Sequence, residues 1–479
     1  MGFDAMKLFS TEERGGIAGN MAYAIIAQGV GLLSSIVTSL VLPKVLGVDD
    51  YAYWQLFLLY SSYSGFALLG LNDGIYLRLG GKKYSEINHR ELKGQQAIVC
   101  ISQFLVACVC WIVIGFSGFG SSRSLVLALC VFYGLLTNLT QCLRYVFQST
   151  NLTRISSLAD LIAKALFLLC MAGIFLLGLE GSLPFILGFI VCQAIAFAYV
   201  LICARATLAS NCSFKGALHQ CFVDVRAGLK VMVAYYADSL IVGFTRMLTD
   251  WKLGLSAFGR LSLSFSLTNF VLMFIGQVSM VVFPVLKRLD SSEQVSKYGN
   301  IRSMLHIVLP FAYLLYVPAK VILGLWLPEY ESSFIYLALT MPLCVYSCKA
   351  NLLFNTYLKM ARYEGKLCVI NVAAMLLNCA FTFISILGFS SVELATCGIV
   401  ATVMLRDLYF EKLLSKEYGT KFARQLVLEA LMSVGFMACS WCMGVASWPV
   451  VAFIFVVYLW FSRGDLMQVI SSVAARVPR

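Results

Sequence analysis

Five charged side chains fall between Ala237 and Arg260: Asp238, Arg246, Asp250, Lys252 and Arg260. The runs on either side are long and apolar, so this charge sits in or near hydrocarbon. Arginine offers a planar fork of donors that matches phosphate or carboxylate oxygens two at a time. Two arginines with a polar helix face beside them therefore suit an anionic ligand. Thr245 and Thr249 flank Arg246, and Ser262, Ser264, Ser266 and Asn269 follow Arg260. The competing reading is that both arginines merely snorkel to water from helix ends.

An ionisable group at mid-bilayer costs about 2.5–3.5 kcal/mol on insertion scales, so those that persist face a cavity or a partner. At 1.5 Å per residue, Asp238 lies roughly 14 Å inside its span. Lys349 is similarly central in another. Either the two form a neutral buried pair, or Asp238 faces a cavity and takes part in substrate handling or ion coupling. Lys44 follows Pro43 at the end of the first span and reads as an anchor or a further cation. Asn72, Asp73 and Gly74 interrupt the second span, as an exposed helix end or a gate. Asp160 and Lys164, four apart, suit an intrahelical pair. Lys320 follows Pro318, where a helix break is expected.

The elements that must hold these groups are membrane helices. Sixty per cent of the 479 residues are hydrophobic, 13% are charged, and the mean hydropathy is +0.84. A helix needs about 20 mainly apolar residues to cross a bilayer core. Barrels need alternation, which continuous runs such as "AMLLNCAFTFISILGF" exclude. Spans are expected near 17–42, 53–77, 96–116, 124–148, 157–179, 183–203, 229–248, 257–286, 303–326, 333–357, 367–388, 394–410, 426–446 and 449–462. Fourteen spans put 28 of the 36 Lys and Arg on one side, which assigns both termini to the cytoplasm by the positive-inside rule. Basic loops facing anionic lipid also account for the net charge of +12 without nucleic acid.

No loop exceeds roughly 25 residues by the helix lengths above, so no soluble domain is expected and enzymatic readings weaken. The seventeen cysteines form no CxxC pair, and His89, His219 and His306 are far apart, which leaves no metal site in the pattern. Asn138, Asn151 and Asn211 begin Asn-x-Ser/Thr triplets in a span or on the inner side, where they carry no meaning. A weak repeat relates Leu46, Gly47, Tyr51 and Ala52 to Leu253, Gly254, Phe258 and Gly259. Either tight hairpins converge on such residues, or six-helix lobes repeat in parallel, an arrangement that places a transporter's substrate at their interface.

"LVLPKVLGVDDYAYWQLFLLY", "GLNDGIYLRLGGKKY" and "FGRLSLSFSLTNF" resemble bacterial polysaccharide repeat-unit flippases of the multidrug/oligosaccharidyl-lipid/polysaccharide exporter superfamily. The resemblance implies two six-helix lobes, 1–210 and 211–424, around a central cavity, with two further spans in 425–479. It implies a non-enzymatic carrier in the bacterial cytoplasmic membrane. Its cargo would be an undecaprenyl-pyrophosphate-linked oligosaccharide, moved from inner to outer leaflet by alternating access for surface polysaccharide such as capsule or O-antigen. Membrane lipids, a polysaccharide polymerase and glycosyltransferases are the expected partners. No cofactor is expected beyond H+ or Na+ as coupling ion. Arg246 and Arg260, with Lys44, would hold the pyrophosphate, while Tyr235, Tyr236, Asn269 and Gln277 suit the glycan. Many relatives carry an acid directly before the seventh-span arginine. Thr245 stands there, leaving Asp238 or Asp250 as its replacement. A drug or cation antiporter, a peptidoglycan-precursor flippase and a membrane glycosyltransferase or polymerase are the alternatives.

Overall fold

Apolar runs become helices because hydrocarbon offers no partner for a backbone N–H or C=O outside its own segment. The computed structural model describes residue 23 and residues 26–287, 291–361, 363–419 and 423–474. Among them fourteen helical stretches follow in the expected order. These are α1 (26–46), α2 (48–79), α3 (His89–Phe116), α4 (Ser121–Ser149), α5 (Thr153–Leu176), α6 (Leu183–Cys203), α7 (Phe214–Leu253) and α8 (Leu255–Lys287). The remainder are α9 (Lys297–Trp326), α10 (Pro328–Leu358), α11 (Gly365–Gly388), α12 (Val392–Tyr418), α13 (Ala423–Met443) and α14 (Trp448–Phe461). The chain is a multi-pass, all-α membrane protein. Ten stretches are long and apolar enough to cross a bilayer, and two of them, Ile26–Leu68 and Ala423–Phe461, each contain a turn that makes them two spans. The remaining two are α8 and α12. The predicted start of the first span and the Gln277 side chain lie outside the described residues.

Local breaks follow from single residues. At the α1–α2 corner Gly47 has φ 69°, and at the α7–α8 corner Gly254 has φ 89°, conformations in which a Cβ is strained. Pro318, where a break was expected, is accommodated inside a helix running from Phe311 to Trp326. Proline there removes the N–H that would bond the carbonyl four residues back. That carbonyl belongs to Leu314, and the Trp448 indole donates to it at 3.2 Å. Lys320 lies beside Gly444 at the α13–α14 turn.

Contacts divide the chain into two compact units, one of the chain up to Thr38 with Tyr53–Val233, the other of Ser39–Ala52 with the chain from Ala234 onward. The first is centred on aromatics: Trp54 stacks on Phe167 at 5.7 Å and meets Phe189 edge-on at 5.6 Å. Its buried acid Asp224 receives Arg78 at 2.9 Å, and the same guanidinium donates to Glu91 and Gln95. Asp160 does not act through Lys164. It pairs with Arg144 of α4, which also donates to Ser156, and the Lys164 ammonium lies against Gly31 of α1. In the second unit α10 is the pillar: 78% of its apolar window is enclosed, against 17–39% for the other spans. A charge on such a helix has no route to water and must be neutralised by its neighbours.

Candidate functional site

Lys349 sits on that pillar with 1% of its surface exposed. Its ammonium donates to Glu429 Oε2 of α13 at 2.6 Å and lies 3.7 Å from Glu411 of α12. Arg302 of α9 joins the same two acids, donating from Nε to Glu411 Oε1 at 2.7 Å and from Nη1 to Glu429 Oε1 at 2.6 Å. His306, one turn further along α9, has Nδ1 2.9 Å from Glu429 Oε1 and Nε2 3.0 Å from the Ser462 hydroxyl. Two carboxylates thus hold two cations between four helices. Burial of such ions is tolerable because each charge is met by several charge-assisted bonds.

The expected pairing of Asp238 with Lys349 is therefore not formed. Asp238 on α7 pairs with Arg406 of α12, and its side chain remains 55% exposed while Arg406 is 6% exposed. Lys349 lies too deep in the unit for a cargo contact. Arg406 also reaches its neighbour Asp407, from Nε to Oδ1, at 3.4 Å. Arg302, His306, Arg406, Asp407, Glu411 and Glu429 were not singled out in the sequence, because most lie at or beyond the ends of the expected spans. The one legible signal was Glu429, a lone acid within "LVLEALMSV".

The α7–α8 corner carries the other candidates. Arg246 is buried, donates from Nε to Ser262 at 3.2 Å and stacks over Phe258 at 5.5 Å. Arg260 is half-buried beside Tyr336 of α10, and its Nε is enclosed with no hydrogen-bond partner among the described residues. Residues two apart on a helix do not face the same way, so Ser262, which Arg246 bonds, and Arg260, beside Tyr336, project from different sides of α8. Tyr336 in turn donates to Glu393 at 3.3 Å.

Lys44 belongs to the same unit. Its ammonium lies 3.6 Å above the Trp326 ring, whose indole donates to Leu40 O at 2.7 Å. The repeat recognised in the sequence meets itself here. Its two glycines, Gly47 and Gly254, both have positive φ, and its matched residues Ala52 and Gly259 pack together so tightly that a Cβ on Gly259 would lie 2.6 Å from the Ala52 Cβ. Tyr330 donates to Gly47 O at 2.7 Å and closes the corner. On the exposed surface stand Tyr235 (67%) and Asn269, and Tyr236 is buried with its ring 5.2 Å from that of Tyr235. Asp73 lies elsewhere, half-buried in the first turn of the helix Leu71–Leu79 in the first unit. No group of three or more metal-ligating side chains occurs among the described residues.

No family model matches the chain, and no curated protein matches it. Solved structures do. A structure named Lipid II flippase MurJ, in an inward closed conformation, superposes with a TM-score of 0.66 at 12% identity, covering 94% of this chain and 99% of that one. An inward-facing multidrug resistance MATE family transporter of the MOP superfamily gives 0.58 at 12% identity, covering 84% and 97%. An outward-facing one gives 0.52 at 12% identity, covering 83% and 95%. The chain has the fold of these transporters, and none of the three is an enzyme.

Proposed function

We propose that the protein is a flippase that carries undecaprenyl-pyrophosphate-linked oligosaccharide repeat units from the inner to the outer leaflet of the bacterial cytoplasmic membrane, supplying surface polysaccharide. The observation that supports this most is the state of Arg260. Three cations buried in its unit, Arg302, Lys349 and Arg406, each have a carboxylate within hydrogen-bond or ion-pair distance. Arg260 keeps an enclosed N–H with no partner among the described residues, and an enclosed unpaired donor on a charged group is costly unless a ligand answers it.

A pyrophosphate supplies oxygens for that fork and for Arg246. Lys44 adds positive charge near the same corner. Tyr235 and Asn269 offer the stacking face and the amide that a sugar chain needs, while the polyprenyl tail stays in hydrocarbon. Lobe rocking would then carry the head group across. Both termini lie in the cytoplasm in this reading, and a polymerase and glycosyltransferases work on either side of the step.

A drug or cation antiporter would favour acids over arginines at this corner. The likeness to a structure named for Lipid II, whose name points to a lipid-linked cargo, makes a peptidoglycan-precursor flippase the second reading. Deleting the protein and identifying the lipid-linked intermediate that accumulates in the inner leaflet decides between them. A peptidoglycan intermediate selects the second reading, and no accumulation with unchanged surface glycan refutes both. In the same strain, Arg246→Ala and Arg260→Ala at wild-type abundance should lower surface glycan. Undiminished export by both variants contradicts the assignment.

A further inference from the structure

The buried charges of the second unit can be counted. Facing one another are Asp238 of α7, Arg302 and His306 of α9, Lys349 of α10, Arg406, Asp407 and Glu411 of α12, Glu429 of α13, and the Tyr458 hydroxyl of α14. Three are fixed cations and four are carboxyls, of which Asp238 is 55% exposed. With Arg406 paired to Asp238, and Arg302 and Lys349 paired to Glu411 and Glu429, Asp407 is the enclosed carboxyl left without a cation of its own. A buried charge in that position is expensive, and one proton removes it.

The hydrogen bonds indicate where that proton sits. His306 is satisfied as a neutral imidazole. Its Nδ1–H donates to Glu429, its Nε2 accepts from Ser462, and the Tyr458 hydroxyl donates to its carbonyl at 2.6 Å. This tautomer is assigned from the network. Glu411 receives Arg302 at 2.7 Å and has the Lys349 ammonium 3.7 Å from its other oxygen, and Glu429 receives both Arg302 and Lys349 at 2.6 Å, so each of these acids faces two cations. Asp407 differs. It is 1% exposed, its Oδ2 is buried with no hydrogen-bond partner among the described residues, and its Oδ1 has only two long contacts from the adjacent Arg406, at 3.4 and 3.5 Å, whose good bond goes to Asp238. A carboxylate so poorly compensated is the natural holder of a proton.

We propose that Asp407 carries one buried, exchangeable proton and that Arg406 controls it by choosing between Asp407 and the exposed Asp238. When Arg406 leaves Asp238, its N–H donors move to Asp407, the Asp407 O–H bond breaks, and the proton passes to water admitted on the exposed side of Asp238. Asp238 stays ionised and solvated. One proton is released, no electron moves, and Arg406 faces a carboxylate before and after the exchange. Such an exchange is a coupling step for any ligand that competes for Asp238 or Arg406, whatever the cargo.

Infrared spectroscopy of the full-length protein in lipid nanodiscs at neutral pH tests this through the C=O stretch of a protonated carboxyl. The expected result is one such band, shifted by D2O and by carboxyl-13C aspartate, present in His306→Gln and lost in Asp407→Asn. Isotope labelling gives the assignment even if Asp407→Asn does not fold. Asp238→Asn should also abolish the band, because Arg406 then turns to Asp407 and ionises it. A wild type without the band, a band insensitive to labelled aspartate, or a band unchanged in Asp238→Asn overturns the proposal.

Discussion

The second unit holds positive charge in two places and treats it in opposite ways. Around Lys349 the cations Arg302, Lys349 and Arg406 are answered by Glu411, Glu429 and Asp238 within a cage of five helices. At the α7–α8 corner Arg246 has a neutral hydroxyl at 3.2 Å and an aromatic face, and Arg260 keeps an unanswered N–H. The first arrangement is closed and sums to neutrality, which suits structure. The second leaves an Arg260 donor for something else, which suits an anionic ligand. Charge inside a membrane protein is therefore informative only after its partners are counted.

Breaking the closed set should have the largest effect. Glu429→Leu leaves Arg302 and Lys349 to share Glu411 alone, and removing one partner of a buried ion pair typically costs about 3–5 kcal/mol. The expected outcome is loss of folded protein in detergent or a large drop in Tm. Normal yield and Tm would show that the network is not enclosed.

Removing a cation at the open corner should leave folding alone and damage function instead. A hydrogen bond to a charged group contributes about 1.5–3 kcal/mol, so Arg260→Ala should weaken pyrophosphate binding on the order of 10- to 100-fold. Lys at 260 should restore only part, since it lacks the planar fork. The packing of the corner itself is probed by Gly259→Leu, which drives a side chain into Ala52. Overpacking costs about 1–3 kcal/mol, so a moderate fall in Tm is expected, with a further loss of export as the two matched turns are wedged apart. The smallest effect belongs to Lys44→Ala, which removes a cation–π contact of about 0.5–1 kcal/mol at exposed sites. It should reduce export only slightly and leave Tm within experimental scatter.

The contrast between these regions also explains what could be read from sequence. Spans were legible because hydrocarbon leaves the backbone only one economical solution, and the corner was legible because Arg246 and Arg260 interrupt otherwise apolar or small-residue segments. The network was not, and the reason lies in helix length. The ninth span was expected from 303 and the twelfth to 410, whereas the helices run from 291 and to 418. Arg302 and Glu411 thus lie inside helices where the hydropathy profile placed them in loops, and a charge at a loop reads as solvated. Only packing of α9, α10, α12 and α13 side by side reveals that four separate charges neutralise one another. Asp238 shows the converse: its depth drew notice, but its partner Arg406 is 168 residues away and was counted among the basic inner ends.

The central claim is that the α7–α8 corner binds a pyrophosphate. It is tested most directly by the affinity of undecaprenyl pyrophosphate for the purified wild-type protein and for Arg260→Ala of equal Tm, both in nanodiscs of neutral lipid. The expected result is at least a tenfold weaker Kd for the variant and binding that weakens with salt in the wild type. Equal affinity for the two proteins, or binding indifferent to salt, would contradict it.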